Sequence, residues 1–240
     1  MNEGIQAMTD YDNAEQAQRD GEMEIVPFDK TKTHTVYKNS AGKRLPGVTT
    51  ALNIINKPAL LHWAWKLGTE GKDYKKVRDQ AADIGTIAHF MCECHVKGKQ
   101  PDMSTFSPTD ISKAENAFLK FLEFWKGYTL IGSEIRDVSE VYQYGGTLDI
   151  MARNITGELC LIDLKTSKAI YPEMWMQVAA YGEIWHEHHA DDRIGKYMIC
   201  RIGKEEQDGD FEVRERKSLK VELDTFKTAL SLYNKLKKVK

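Results

Sequence analysis

Apolar residues recur every three or four positions over several stretches of the chain and run or alternate at strand spacing in others. Helical spacing covers about 59–68, 72–98 and 109–126. It is clearest in the last, where Ile111, Ala114, Phe118, Leu122 and Trp125 share a face and Ser107 or Thr109 stands ahead as a cap. The period then changes. Residues 129–143, 146–153 and 158–165 read as three strands, with a bend near Asp137 and turns at Gly145-Gly146 and at Asn154-Ile-Thr-Gly157. Residues 172–189 return to helix, and 196–202 with 211–216 form a hairpin through Asp208-Gly209. A closing helix from about Asp224 carries Phe226, Leu230, Tyr233 and Leu236 on one face and ends in Lys235, Lys237, Lys238 and Lys240. Ahead of all these, His34 to Tyr37 and Lys43 to Val48 flank Asn39-Ser-Ala-Gly42 as a hairpin, and Thr49 or Thr50 caps the helix that follows. This order predicts an α/β fold in which helices flank a central mixed sheet. Residues 1–25 are polar and aperiodic. The expected division is a disordered acidic leader, 1–30, and one domain, 31–240, with a helical region 50–126 inserted ahead of a core at 127–240.

Composition adds a charge asymmetry. The chain is −2 overall, but residues 1–30 hold eight acids against two bases, which leaves the remainder at +4. A mildly basic body under an acidic leader is compatible with a nucleic-acid partner. No apolar run approaches the roughly 18–20 residues of a membrane span, and the N-terminus lacks the pattern of a secretory signal. The expectation is an intracellular, cytoplasmic protein with no membrane partner. Cys92 and Cys94 stand two apart on a helix, and Cys160 and Cys200 lie in strand-like runs, so all four are expected as free buried thiols.

The chemistry concentrates in Gly145-Gly-Thr-Leu-Asp149 and Leu161-Ile-Asp-Leu-Lys165. Alternation along a strand puts Asp163 and Lys165 on one face and Ile162 and Leu164 on the other. A charged pair in an apolar strand is costly without a partner or a task. A structural ion pair is the ordinary explanation of Asp-x-Lys alone. A tight connection from 149 to 163 would bring the Asp149 carboxylate to the same place, and the residues on the flanking helices change the balance. Two carboxylates beside a lysine suit Mg²⁺ or Mn²⁺ and phosphoryl chemistry. Upstream, Gly85-Thr-Ile-Ala-His89 lies on a helix, with Glu93 one turn on. Downstream, Gln177-Val-Ala-Ala-Tyr181 sets an amide and a phenol one helical turn apart.

Taken in order, His89, Asp149, Asp163-x-Lys165 and Gln177-x-x-x-Tyr181 resemble the RecB-type branch of the PD-(D/E)xK nuclease superfamily over roughly residues 34–240. The match is nearest to compact exonucleases such as the mitochondrial genome maintenance exonuclease and phage-encoded relatives. Asp163-Leu-Lys-Thr-Ser167 and Leu45-Pro-Gly-Val-Thr-Thr50 also follow their pattern. The resemblance implies a restriction-endonuclease-like core and a deoxyribonuclease with Asp149, Asp163 and Lys165 as catalytic residues. It further implies His89, Asp149, Asp163 and the Leu164 carbonyl as ligands of Mg²⁺ or Mn²⁺. Gln177, Tyr181, Thr166 and Trp175 are expected to position substrate, and Glu134, Glu140 and Glu93 to support the site from behind. The expected partner is DNA, single-stranded or with free ends, alongside a recombination or replication protein; the location would be the host cytoplasm for a phage-encoded chain.

The chain departs from the branch at Leu148, where proline is common, and holds a single late cysteine, Cys200, so no iron–sulphur cluster is expected. There is no P-loop. His186-Glu-His-His189 with Asp191 and Asp192 looks like a metal site, but Ala190 breaks the His-Glu-x-x-His spacing, and a solvated helix end is expected. Trp63, Trp65 and Trp125 are read as packing residues, with Trp175 as a base-stacking candidate. Lys66, Lys72, Lys75, Lys76 and Arg78 would face phosphates if the helical region arched over the site. The rival expectations are a structure-specific endonuclease and a non-catalytic DNA-binding recombination module. An intact acid–lysine set disfavours the second.

Overall fold

The computed structural model describes residues 23–29, 35–203 and 211–239. In chain order these form β1 (Ile25–Val26), β2 (Tyr37–Lys38), β3 (Arg44–Leu45), α1 (Val48–Leu52), α2 (Pro58–Thr69), α3 (Tyr74–Val96), β4 (Gln100–Pro101) and α4 (Pro108–Trp125). There follow β5 (Tyr128–Ser139), β6 (Tyr144–Asn154), β7 (Leu159–Lys165), α5 (Pro172–His188), β8 (Lys196–Ile202), β9 (Phe211–Arg216) and α6 (Lys220–Leu236).

Strands β5 to β9 make one sheet in sequence order. All neighbours are antiparallel except β7 and β8, which run parallel with α5 as their crossover. β7 is the central strand. It is covered on both faces, which is why it reads Leu-Cys-Leu-Ile-Asp-Leu-Lys and is buried up to Leu164. Helices α1, α5 and α6 pack on one face around Leu161, Val178, Tyr181 and Phe226. Helices α3 and α4 pack on the other around Ile87, Phe121, Ile162 and Cys200. α4 has the cap its sequence calls for: the Ser107 hydroxyl accepts from the Asp110 amide at 3.2 Å, Pro108 opens the first turn, and Ala114, Ala117, Phe121 and Trp125 form the buried stripe. The Tyr144 hydroxyl donates to the Ala180 carbonyl at 2.8 Å, pinning β6 to α5.

Several boundaries differ from the sequence expectation. The β5–β6 turn is residues 140–143, with Gln143 at φ 60°, and Gly145-Gly146 lie inside β6. Their role is close approach: a Cβ on Gly145 would enter the Tyr37 ring, and one on Gly146 would stand 2.6 Å from Tyr181. β5 continues through Asp137 to Ser139, its irregularity lying between Leu130 and Gly132. α1 begins at Val48 with Gly47 as N-cap, so Thr49 and Thr50 are inside it. α6 begins at Lys220, a turn before Asp224. Residues 23–29, expected in the leader, take part in the fold. β1 pairs in parallel with β4, and Phe28 meets Phe90 and Phe106 edge-on, at 5.3 and 5.0 Å between centroids. The rest of the expected leader, 1–22 and 30, and the Asp208-Gly209 turn lie outside the described residues. Among the described residues no helix is long and apolar enough to cross a membrane.

Candidate active site

The β6–β7 ladder runs from Arg153 opposite Leu159 to Ile150 opposite Ile162 and stops there. Asp149 and Asp163 are the next residues on each strand, at the point where the two strands part. The Leu164 amide is left without a backbone partner on β6, and the Asp149 Oδ2 takes it at 2.8 Å. In a strand the N–H and C=O of one residue point to the same side, so the Leu164 carbonyl also faces this opening.

Asp163 is fully buried, and the Lys165 Nζ stands 2.5 Å from its Oδ2. Apart from that ammonium, neither carboxylate oxygen has a protein partner. Burial pushes the Asp163 carboxyl up to about 6, with the Asp149 charge adding to the rise and Lys165 and His89 opposing it. Burial raises Asp149 too, against the pull of Lys165 and the Leu164 amide, and the nearby Glu93 charge adds to the rise. Burial works against the Lys165 ammonium, but Asp163 and Asp149 together outweigh it and hold its pKa above the ordinary lysine value. Lys165 is therefore a cation held in place at neutral pH, and its side chain keeps 17% exposure.

Tyr181 on α5 reaches the same place from the other layer. Burial, then the charges of Asp163 and Asp149, drive its phenol well above the usual tyrosine range. Its oxygen accepts from the Gln177 Nε2 at 2.7 Å, which leaves its proton for another acceptor. Strand alternation and the i, i+4 spacing thus bring Asp149, Asp163, Lys165, Gln177 and Tyr181 to one opening.

The remaining expected residues divide. His89 and Glu93, on α3, are near enough to act on Asp163 and Asp149 respectively, and Glu93 also pairs with Lys97 at 2.7 Å. Among the described residues no three His, Cys, Asp or Glu side chains converge as a metal-ligand group, so His89 does not complete a three-residue set with the two aspartates. Glu134, with a left-handed φ of 53°, lies between the pairs Ser133–Ile150 and Ile135–Leu148, which puts it opposite Asp149. Glu140 is not at the site. It sits in the β5–β6 turn, where it accepts from the Ser40 amide at 2.6 Å and so holds the β2–β3 hairpin. Trp175 is not available for stacking. It is 3% exposed, and the Arg216 guanidinium covers its ring at 4.3 Å. Thr166 follows β7 directly and is half-buried.

The His186–His189 cluster is an exposed helix end, as expected, with His188 and His189 open to solvent and each ring held by a local contact. His186 accepts from the Ile194 amide at 3.3 Å, His188 meets the Val138 carbonyl at 2.9 Å, and His189 stacks on Trp185 at 3.7 Å. The four cysteines are free and buried, as their positions led one to expect. Of the expected phosphate-facing bases, Lys72 pairs with Glu70 at 2.8 Å and Arg78 with Asp79 at 2.7 Å. Two residues went unnoticed in the sequence. The Tyr37 and Thr147 hydroxyls join at 2.9 Å, two residues along β6 from Asp149. The signal was Gly145-Gly146, which marks where a ring from elsewhere must approach.

No protein-family model matches the chain, and no curated protein sequence does. Among solved structures, the fold is similar to a protein of Eubacterium rectale named "Putative exonuclease", at 12% identity over 65% of this chain and 68% of that one, with a TM-score of 0.41. It is also similar to the protein SSO0001, at 15% identity over 65% and 74% of the two chains, with a TM-score of 0.36.

Proposed function

We propose that the chain is a metal-dependent nuclease that hydrolyses phosphodiester bonds in DNA, acting as an exonuclease on single-stranded or frayed ends. The observation that carries this reading is the buried Asp163 carboxylate, whose oxygens have no protein partner but Lys165, set beside Asp149 where β6 and β7 part. A single ammonium leaves most of the acceptor capacity of this buried carboxylate unused, and a fold rarely keeps buried acceptors unmatched without a ligand or a task for them.

The donor set fits a hard divalent cation. Mg²⁺ and Mn²⁺ commonly rest on one or two carboxylates and leave other positions to water and substrate phosphate. Asp149 and Asp163 would hold the ion, with the Leu164 carbonyl on the same side. Bound there, such an ion polarises the phosphate and acidifies a water. The chain's own groups do the rest. Lys165 offers a fixed positive charge to the phosphate oxygens as negative charge builds, a preorganised interaction of the kind that dominates such catalysis. Tyr181, held by Gln177, offers a proton to a phosphate or water oxygen. Asp149, anchored by the Leu164 amide, keeps the opening from closing into a regular ladder.

The test is degradation of end-labelled linear DNA against covalently closed circles of equal length. Each substrate is incubated with Mg²⁺, Mn²⁺, Ca²⁺ or excess chelator. The expected result is loss of linear, preferentially single-stranded DNA with Mg²⁺ or Mn²⁺, little with Ca²⁺ and none with chelator. Full activity in chelator would overturn the metal chemistry. Equal cutting of the circles would make the enzyme an endonuclease.

A further inference from the structure

Beside the candidate active site lies an open cleft of about 390 Å³ between Thr35–Lys38 and Arg136–Val138. It adjoins the catalytic opening through a short chain of contacts. Arg136 is the ladder partner of Thr147, and Thr147 is two residues from Asp149 on β6. That separation is about 7 Å along an antiparallel strand. The Tyr37 hydroxyl meets the Thr147 Oγ1 at 2.9 Å, so the wall of the cleft is tied to the strand that bears Asp149. The Tyr37 ring is wedged against Gly145, and the backbone bridge between Gly47 and Gly145 fixes the β2–β3 unit in place.

The cleft carries two cations. Arg136 and Lys38 are both exposed, and neither has an ion-pair partner among the described residues. Burial raises the Tyr37 phenol above its usual value, against the Thr147 hydrogen bond and the nearby Arg136 charge, with the Glu134 charge adding to the rise. The acid in the lining, Asp137, is already engaged: its Oδ1 takes the Val138 amide at 2.8 Å and stands 3.4 Å from the His188 ring. By comparison, Lys72, between α2 and α3, and Arg78, on α3, are matched by adjacent acids. Exposed bases that face an opening without matching acids are the usual phosphate-contacting groups, and a guanidinium suits the planar, bidentate geometry of phosphate oxygens.

We infer that the Arg136–Lys38–Tyr37 cleft is a binding site for the sugar–phosphate backbone of a nucleic acid strand, seating phosphates next to the one at the catalytic opening. This rests on the nuclease reading for its direction. It is a backbone site, so it carries strand position and not base sequence. Arg136 and Lys38 would each neutralise one phosphate, with Tyr37 as the wall between them and the catalytic carboxylates.

The experiment measures binding without cleavage. A fluorescein-labelled single-stranded oligonucleotide is titrated by anisotropy, in chelator, over a series of salt concentrations. The proteins are the full chain, the variants Arg136→Gln and Lys38→Gln, and their double variant. For single strands each phosphate contact contributes about 0.7 to the slope of log affinity against log salt. Each single variant is expected to lower the slope by about 0.7, the double variant by about 1.4, with affinity near physiological salt falling at least tenfold in the double. A variant with Lys113→Gln and Lys126→Gln, on the far layer, removes the same charge and is expected to leave the slope unchanged. An unaltered slope in the Arg136 and Lys38 variants overturns the inference, as does an equal loss in the Lys113/Lys126 control. If the double variant fails to fold, the two single substitutions at exposed positions decide the matter. Failure of wild-type protein to cleave any DNA would instead count against the nuclease reading, so the two can fall separately.

Discussion

The Asp163 carboxylate has no solvent contact, and the protein offers it only the Lys165 ammonium. Burial raises its pKa to about 6, so the folded chain binds this proton more tightly than the unfolded chain does. The sign of the linkage follows: the contribution to stability is whole below the unfolded carboxyl value and is lost as pH rises through about 6. The full shift, from 3.8 to about 6, corresponds to roughly 3 kcal/mol, of which the range from pH 4 to pH 7.5 spans roughly 2. Without divalent cation, the wild type is therefore expected to lose roughly 2 kcal/mol relative to Asp163→Asn between pH 4 and pH 7.5, as read from denaturant midpoints. Parallel pH profiles for the two proteins would show that Asp163 is not held in this way. A cation that binds the ionised pair reverses the penalty by mass action. Mg²⁺ at pH 7.5 should thus raise the Tm of the wild type and leave that of Asp163→Asn where it was.

At the scale of elements, the opening between β6 and β7 is made by packing as much as by ligands. Gly145 and Gly146 let Tyr37 and Tyr181 press onto β6 from different parts of the chain. Gly145→Ala and Gly146→Ala are each expected to cost about 1–3 kcal/mol through forced displacement of a ring, measured by chemical denaturation. The Gly146 change should also lower activity beyond its effect on stability, since the ring it displaces is Tyr181. Wild-type stability in both variants would mean the rings can move freely. The same glycine pair shows where the sequence is readable and where it is not. Alternation along β7 sorted Asp163 and Lys165 from Ile162 and Leu164 without error, because that pattern is local. The glycines read as a turn because Gly-Gly is ordinary turn chemistry. Their real partners, Tyr37 and Tyr181, are distant in sequence and leave no periodic trace. Glu140 and Trp175 lie away from the opening for the same reason: what holds each elsewhere is a remote contact, with the Ser40 amide and with Arg216.

Over the whole molecule, the two-layer arrangement of helices on a sheet is legible because α4 and α6 carry strong periodic stripes and β7 an apolar run broken only by Asp163 before Lys165. The edge of the domain at residues 23–29 was not, since Ile25, Val26 and Phe28 sit in an acidic, aperiodic stretch. Their order comes from contacts far along the chain. β1 adds to β4, and Phe28 enters between Phe90 on α3 and Phe106 ahead of α4. Phe90 follows His89 directly, so this small aromatic group steadies the turn of α3 that faces the two aspartates. Phe28 is half-buried, and edge-to-face rings add to the area it buries. Phe28→Ala is expected to cost about 1–2 kcal/mol, which for a domain of this size lowers the Tm by roughly 2–8 °C. Phe28→Leu, which keeps apolar area but loses the ring geometry, should fall between the two. A scan in which Phe28→Ala melts with the wild type would put residues 23–29 outside the cooperative unit and move the domain edge back toward residue 30.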